Sequence, residues 1–267
     1  DGQRVLLSAE EGGDEACLMA RSLPGIPVLV GRKRALGGRL AVERFGTQVL
    51  ILDDGFQHWQ LYRDLDIVLV DGTNPFGNGH VLPRGILREP MEQLGRADAF
   101  IITKGDQITQ DRAEAIAAKL RQYNPAAPVA MAIHKPSSCL AFAAWHDGKG
   151  HGSGALQPDG QSVLAISALG NPASFERTLA DAGFTVAGSL RYEDHHHYSR
   201  DDIRHMAARA AETGCLLVTT EKDAVKLPAP LIKEYDLPLY VLSITIEFTA
   251  GQDQIDTILQ AVLEDKL

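Results

Sequence analysis

The sequence predicts an α/β protein built on a parallel sheet, with a second, smaller α/β domain that follows a β linker. Short apolar runs alternate with helix-like stretches along most of the chain. These runs are continuously apolar, which is typical of strands that are buried on both faces of a sheet. A stretch rich in Gly, Asp, Ser and Pro at residues 146–160 separates two regions of this kind.

The first region contains short apolar runs that predict buried strands. They lie at residues 49–52, 67–70, 99–102 and 129–133, with a predicted helix at residues 111–122. Residues 140–145 could form a further strand that leads into the linker.

The second region starts at Ser162. Asn171 and Pro172 suit the start of a helix that Gly183 would end, and Ser199 suits the N-cap of another, which reaches about residue 213. Strands are predicted at residues 163–167, 184–190, 216–220 and 238–242, and a last amphipathic helix at 253–263. The predicted division is a core domain at 1–136, a β-hairpin linker at 137–161 and a second domain at 162–267.

The composition excludes several classes of function. The net charge of -9 argues against a broad nucleic-acid surface, which needs clustered Lys and Arg. Cys17, Cys139 and Cys215 lie far apart and form no C-x-x-C pair, which indicates reduced thiols in a cytoplasmic protein. The sequence has no apolar run long enough to span a bilayer, so any membrane contact of these residues is expected to be peripheral.

The first candidate site is Asp53-Asp54-Gly55-Phe56-Gln57-His58, at the end of an apolar run. Ligands of open parallel sheets bind beyond the carboxyl ends of the strands, where carboxylates can hold Mg²⁺ against nucleotide phosphates. The alternative is an Asp-Gly turn with a capping role.

The second candidate is Gly12-Gly13-Asp14-Glu15. Two acids after two glycines suit the first turn of a helix, where negative charge favours the helix dipole. Asp14 is therefore either a cap or a general base that accepts a hydroxyl proton.

Three further segments carry polar groups suited to phosphate or proton chemistry. Arg84 and Arg88 lie in a long turn-rich stretch at 72–90, either as phosphate contacts or as part of a solvated loop. Three consecutive histidines at 195–197 point in different directions, so one functional histidine is expected rather than a zinc site. Residues 219–223 are expected either to contact a nucleotide or to close a turn. The glycine-rich segment at residues 148–154 is interpreted as a flexible turn.

These segments together resemble the tetraacyldisaccharide 4'-kinase family of lipid A synthesis. The resemblance is carried by DDGFQH at 53–58, DGTNPFG at 71–77, LPRGILREP at 82–90, GNP at 170–172 with Phe175, DHHHY at 194–198 and TTEKD at 219–223. It implies a P-loop-NTPase-like fold and transfer of the γ-phosphate of ATP to the 4'-hydroxyl of an acylated glucosamine disaccharide phosphate. It also implies Mg²⁺ and peripheral attachment to the cytoplasmic face of the bacterial inner membrane.

The resemblance also implies roles for individual residues. Asp14 is similar to the family's catalytic base, with His195 as its partner. The remaining implied residues fall into two groups: Asp53, Asp54, Glu15 and Glu89 at the metal or the phosphates, and Arg84, Arg88, Gln57, His58 and Asn74 at phosphate or substrate.

The sequence departs from the family pattern at two places. Ala16 stands where the family usually has Pro. The family's G-x-x-x-x-G-K-T loop and its membrane-associating helix, expected upstream of Asp14, are not found. The chain is therefore expected to be N-terminally truncated and inactive by itself. The alternatives are a non-catalytic remnant that binds nucleotide or phosphorylated glycolipid, and an unrelated Mg²⁺-dependent hydrolase that uses Asp53 and Asp54.

Overall fold

The computed structural model describes residues 1–148 and 155–266. The chain forms two compact units, each built from separate stretches of sequence. The first unit comprises Asp1–Arg32 and Pro136–Thr245, and the second comprises Lys33–Lys135 and Ile246–Leu267. The three-part division predicted above stays a prediction, and residues 149–154 of its linker lie outside the described residues.

The described residues contain seven strands and ten α-helices. The strands are β1 (Ile67–Asp71), β2 (Ala99–Thr103), β3 (Val129–Ala141), β4 (Ser162–Ser167), β5 (Thr185–Arg191), β6 (Leu216–Thr220) and β7 (Leu239–Ala250). The helices are α1 (Ala9–Gly12), α2 (Asp14–Ser22), α3 (Arg34–Phe45), α4 (Gln110–Tyr123), α5 (Phe142–His146), α6 (Pro172–Asp181), α7 (Arg200–Thr213), α8 (Glu221–Ala224), α9 (Ala229–Glu234) and α10 (Gln252–Lys266). Short 3₁₀ turns occupy Met91–Arg96 and Gly105–Gln107.

In the second unit, β1, β2 and β3 pair in that order. The pairs are parallel, with Ile67 opposite Ala99 and Phe100 opposite Val129. Phe100 and Ile102 pack with Leu120 of α4 in a buried cluster. Burying continuous apolar strands under a helix is the parallel α/β arrangement that the sequence predicts.

In the first unit, the strand order is β7-β6-β4-β5, and all three pairings are parallel. Leu164 and Leu217 on neighbouring strands pack with Ile203 and Met206 of α7, and all four side chains are fully buried. Both units therefore have the predicted α/β construction.

The predicted starts of two helices are confirmed. The Asn171 side chain accepts a hydrogen bond from the Ser174 amide at 3.2 Å, and Pro172 occupies the first turn of α6. Ser199 begins α7 with a capping box, in which its hydroxyl and the Asp202 carboxylate satisfy each other's backbone amides. The end of α6 is also close to the prediction, because Gly183 follows it with φ +97°.

Two predicted strands are wrong. Residues 49–52 are not a strand, and Ile51 is 94% exposed. A strand needs a neighbour for its backbone hydrogen bonds, and no strand of the described chain pairs with this run. The strand predicted at residues 140–145 is also wrong, because β3 ends at Ala141 and the helix α5 follows. In α5, Phe142 contacts Trp145 and His146, the residues three and four positions later, as neighbours on a helix face do.

No helix among the described residues has the length and apolar character needed to cross a bilayer.

Candidate active site

Asp14 is the first residue of α2, directly after Gly13 with φ +87°. Its carboxylate is mostly buried, with 11% of the side chain exposed. Oδ1 accepts a hydrogen bond from the backbone amide of Glu15 at 3.0 Å. The carboxylate is thus fixed by the helix start that the Gly-Gly-Asp-Glu pattern predicts.

His195 meets Asp14 in the first unit. Its Nδ1 lies 3.2 Å from Asp14 Oδ2, and 62% of the side chain is exposed. The backbone of His195 has φ +60°, a left-handed conformation that is uncommon for residues other than glycine. Its amide donates to Asp194 Oδ1 at 3.1 Å, which helps to hold this turn. Backbone strain of this kind is concentrated at functional sites.

The next two histidines have other surroundings. His196 Nε2 lies 3.1 Å from Asp202 Oδ2, and its ring stacks on Tyr192 with 4.7 Å between ring centroids. These contacts support the start of α7. His197 is exposed. The structure thus places only His195 of the three against Asp14, although its catalytic role stays a prediction.

Lys222 is one of the cations close to Asp14. Its Nζ lies 3.0 Å from Glu15 Oε1 and 3.8 Å from Asp194 Oδ1. Burial raises the pKa of Asp14, but the charge of Lys222, the Glu15 amide and His195 together outweigh it, so the pKa lies below its ordinary value. Asp14 is therefore ionised at neutral pH, the form that can accept a proton.

A buried ion pair adjoins this site and was not assigned a role from the sequence. Lys226 Nζ lies 3.0 Å from Asp223 Oδ1 and 3.8 Å from Asp14 Oδ2. Asp223 belongs to the TTEKD segment, whose strand-end position was the available signal. Lys226 lies outside that segment, and no spacing rule connects it with Asp14.

In the second unit, Asp54 and Arg88 form a bidentate ion pair. Arg88 donates to Oδ2 and Oδ1 of Asp54 at 2.7 and 2.8 Å. The hydrogen bonds from Arg88 lower the pKa of Asp54 and outweigh the effect of burial. Asp53 lies exposed on the same turn. The structure thus joins a predicted metal ligand to a predicted phosphate contact.

Glu89 is held by residues that the sequence did not single out. Arg96 Nη1 lies 3.0 Å from Glu89 Oε2, and Trp59 Nε1 donates to Oε1 at 3.2 Å. The guanidinium of Arg96 lies 4.3 Å from the Phe56 ring centroid and 3.9 Å from that of Trp59. Stacking and ion pairing together fix both charged groups.

The remaining predicted residues also lie in the second unit. The Asn74 amide donates to the Asp71 carbonyl at 3.2 Å, and the Arg84 carbonyl accepts from Asn78 Nδ2 at 2.8 Å. Gln57 and His58 are half-buried. No cluster of three or more His, Cys, Asp or Glu suited to a metal occurs in the part of the chain that the structure describes. The proposed metal roles of Asp53, Asp54, Glu15 and Glu89 therefore stay predictions.

Comparison with known proteins supplies the class. A family model for tetraacyldisaccharide-1-P 4'-kinase matches residues 2–264. The tetraacyldisaccharide 4'-kinase of Anaeromyxobacter dehalogenans (strain 2CP-C) is 43% identical over 261 residues, a match that covers 97% of this chain and 67% of the relative. That of Halothermothrix orenii is 39% identical, with 95% and 68% covered.

A solved structure agrees with these relatives. It is the "apo" form LpxK from Aquifex aeolicus in complex with ATP, which is 26% identical with a TM-score of 0.67. The match covers 98% of this chain and 72% of that one. The fold and these similarities define the class of the protein as an α/β kinase with a P-loop-like fold. Within that class, the chain belongs to the tetraacyldisaccharide-1-P 4'-kinase family.

Proposed function

We propose that the residues of this chain serve the 4'-phosphorylation of tetraacyldisaccharide 1-phosphate by ATP, in the synthesis of lipid A, and that the reaction also needs a phosphate-binding loop of a kind that these 267 residues do not contain. The observation that carries the proposal is the Asp14–His195 contact of 3.2 Å, beside a helix start. A carboxylate oriented by a histidine can serve as general base toward a hydroxyl group. Membership of the kinase family supports the same reaction.

The reaction needs one proton acceptor. The 4'-oxygen forms a bond to the γ-phosphorus, the bond from that phosphorus to the β–γ bridging oxygen breaks, and ADP leaves. Asp14 takes the hydroxyl proton on its carboxylate, which is ionised at neutral pH. His195 contacts Oδ2 from the solvent side and orients the carboxylate.

The donor chemistry of the second unit fits a magnesium nucleotide. Carboxylate oxygens are preferred Mg²⁺ ligands, and guanidinium groups suit phosphate oxygens. Asp53 and Asp54 would hold the metal, and Arg88 would hold a phosphate oxygen in place of Asp54. Bound Mg²⁺ supplies neutralisation of charge on the phosphates during transfer.

The phosphate-binding pattern G-x-x-x-x-G-K-[ST] does not occur in the 267 residues. Such a loop supplies backbone amides and a lysine to the β- and γ-phosphates. We therefore propose that this chain by itself holds ATP weakly and transfers phosphate slowly or not at all. An acylated acceptor is embedded in lipid, so we propose that the reaction takes place at a membrane surface. The resemblance to the kinase family implies the cytoplasmic face of the bacterial inner membrane.

A transfer assay tests the proposal. Radiolabelled γ-phosphate of ATP, Mg²⁺ and tetraacyldisaccharide 1-phosphate are incubated with this chain and, in parallel, with the product of the complete open reading frame. We expect lipid-bound label from the complete product and little from this chain. Absence of label from both would overturn the proposed function.

The alternative functions give other outcomes in the same experiment. Calorimetric binding of ATP or lipid without transfer by either protein would favour a non-catalytic binding role. Phosphate release from ATP without lipid acceptor would favour a hydrolase that uses Asp53 and Asp54. Equal transfer by the two proteins would contradict the need for a separate phosphate-binding loop.

A further inference from the structure

Lys226 is a buried cation next to the carboxylate that the proposed function uses as base. Only 5% of its side chain is exposed, and its partner Asp223 is fully buried. The ammonium lies within ion-pair distance of both Asp223 and Asp14, yet it makes no hydrogen bond of regular geometry with any residue that the structure describes. Burying a lysine costs free energy unless nearby anions compensate, so its position calls for a role.

Asp223 is held from several directions. Its Oδ2 accepts from the Ala168 amide at 3.1 Å and from the Thr220 hydroxyl at 2.8 Å. Its Oδ1 accepts from the Tyr198 hydroxyl at 3.1 Å and faces Lys226. Both oxygens thus have two partners each, which makes Asp223 a fixed anion inside the first unit.

Burial and the charge of Asp223 raise the pKa of Tyr198, so its hydroxyl remains a neutral donor. The Tyr198 ring also faces the ammonium, with Lys226 Nζ 5.7 Å from the ring centroid. Anion, phenol and ammonium therefore form one packed group.

Within this group, Lys226 contacts the carboxylate of Asp14 from the buried side. Lys226 and His195 approach the same oxygen, Oδ2, but Lys226 is almost fully buried whereas His195 is mostly exposed. The other oxygen of Asp14, Oδ1, accepts a hydrogen bond from the backbone amide of Glu15. Rotation of the Asp14 side chain would separate a buried ammonium from its second carboxylate, which is costly.

We propose that Lys226 is a positioning residue. Its ammonium group is held by the fixed carboxylate of Asp223 and in turn holds the carboxylate of Asp14, the base, in one orientation. This inference rests on the proposed function, in which Asp14 is the base. It gives the TTEKD segment a purpose beyond closing a turn, because Asp223 anchors the ammonium that faces the base.

A purely structural role for the pair predicts something different. If Lys226 only compensates the charge of Asp223, its replacement lowers the stability of the first unit but leaves kcat per folded molecule unchanged. The two roles are therefore separated by kinetic constants and by the side-chain conformation of Asp14, each measured on folded protein.

The kinetic arm uses the product of the complete open reading frame. Lys226→Met should lower kcat by about 10- to 100-fold, because small displacements of a catalytic group have effects of that order. KM for ATP should stay within about twofold, since no phosphate contact is lost. Lys226→Arg, which keeps the charge, should recover part of the rate. Lys233→Met, an exposed lysine on α9, is the matched control and should behave as wild type.

The conformational arm uses this chain and needs no turnover. Three-bond NMR couplings to Cγ of Asp14 report whether χ1 occupies one rotamer or several. We expect one rotamer in the wild type and in Lys233→Met, and averaging in Lys226→Met. If no protein transfers phosphate, the proposed function fails, while these couplings still decide the positioning role.

A folding defect is controlled by a second variant. Lys226→Met combined with Asp223→Asn leaves no unpaired buried charge, and the same loss of kcat and the same averaging are expected. A folded Lys226→Met or double variant with wild-type kcat and a single Asp14 rotamer would overturn the inference.

Discussion

At the residue scale, the site depends on which groups reach Asp14. His195, Lys222 and Lys226 surround this carboxylate or its neighbour Glu15 from different segments of the first unit. His196 instead supports Asp202, although it is adjacent in sequence. Neighbouring residues of one type thus have separate tasks, because consecutive side chains point in different directions.

Asp14→Asn is expected to abolish transfer in the complete gene product. The amide cannot accept the hydroxyl proton, but no phosphate contact is removed. ATP binding by calorimetry should stay close to wild type while label transfer disappears. A normal transfer rate would remove Asp14 as the base.

His195→Ala should slow transfer more than His196→Ala or His197→Ala. Only His195 contacts the Asp14 carboxylate among these three, so only its loss frees Oδ2 on the solvent side. Steady-state rates of the three variants, compared after a folding check, measure the difference. Equal effects would mean that the assigned histidine is wrong.

At the element scale, the polar ends of helices determine where side chains are placed. The capping box of α7 uses Ser199 and Asp202 and lies directly after the histidine segment. Asp202 accepts both the amide and the hydroxyl of Ser199 at 2.8 and 2.7 Å. The start of α7 therefore fixes the segment that presents His195.

Asp202→Asn should reduce the free energy of unfolding by about 1 kcal/mol at pH 7, the usual effect of losing a helix cap. Burial raises the pKa of Asp202, but Ser199 and His196 outweigh it, so the folded pKa is lowered. A lowered folded pKa stabilises the protein above the unfolded value of about 4, and this contribution is lost as pH falls through the folded pKa.

Urea unfolding at several pH values measures this effect. The difference between wild type and Asp202→Asn should shrink as the pH is lowered below about 4. Asp201→Asn is the control, because Asp201 is an exposed acid in the same turn and takes no part in the cap. A difference that does not change with pH would contradict the assigned cause.

At the scale of the whole molecule, stability comes from two buried sheet regions. In the first unit, Leu164, Ile166 and Leu217 are almost fully buried on adjacent strands. In the second unit, Phe100 and Ile102 are buried in one cluster with Leu120 of α4. The strands β3 and β7 have residues in both units.

Leu217→Ala should lower the free energy of unfolding by about 3 kcal/mol, since it removes buried methyl groups and leaves a cavity. Leu259→Ala in α10, at a partly exposed position, should cost much less. Denaturant titration of both variants compares them. Equal losses of unfolding free energy would show that the buried Leu217 contributes no more to stability than the partly exposed Leu259.

Much of the architecture could be predicted because it is local. Continuous apolar runs predict β1, β2, β4 and β6, and caps such as Ser199 predict helix starts. Residues 49–52 have the same apolar character but form no strand, because strand formation also requires a pairing partner. Apolar character alone does not reveal whether that partner is present.

The α/β class, the kinase family and the candidates Asp14 and His195 follow from the linear chain, because motif order and apolar periodicity can be read along it. Folding brings Lys226 within ion-pair distance of both Asp223 and Asp14, pairs Arg88 with Asp54, and pairs Arg96 with Glu89, and no local pattern predicts these contacts. These pairs join residues distant in sequence or without a motif. Burial explains the Lys226–Asp223 and Arg96–Glu89 pairs, because a charged group removed from water must be close to a compensating one. The Arg88–Asp54 pair is more than half exposed, and its two parallel hydrogen bonds define its geometry instead.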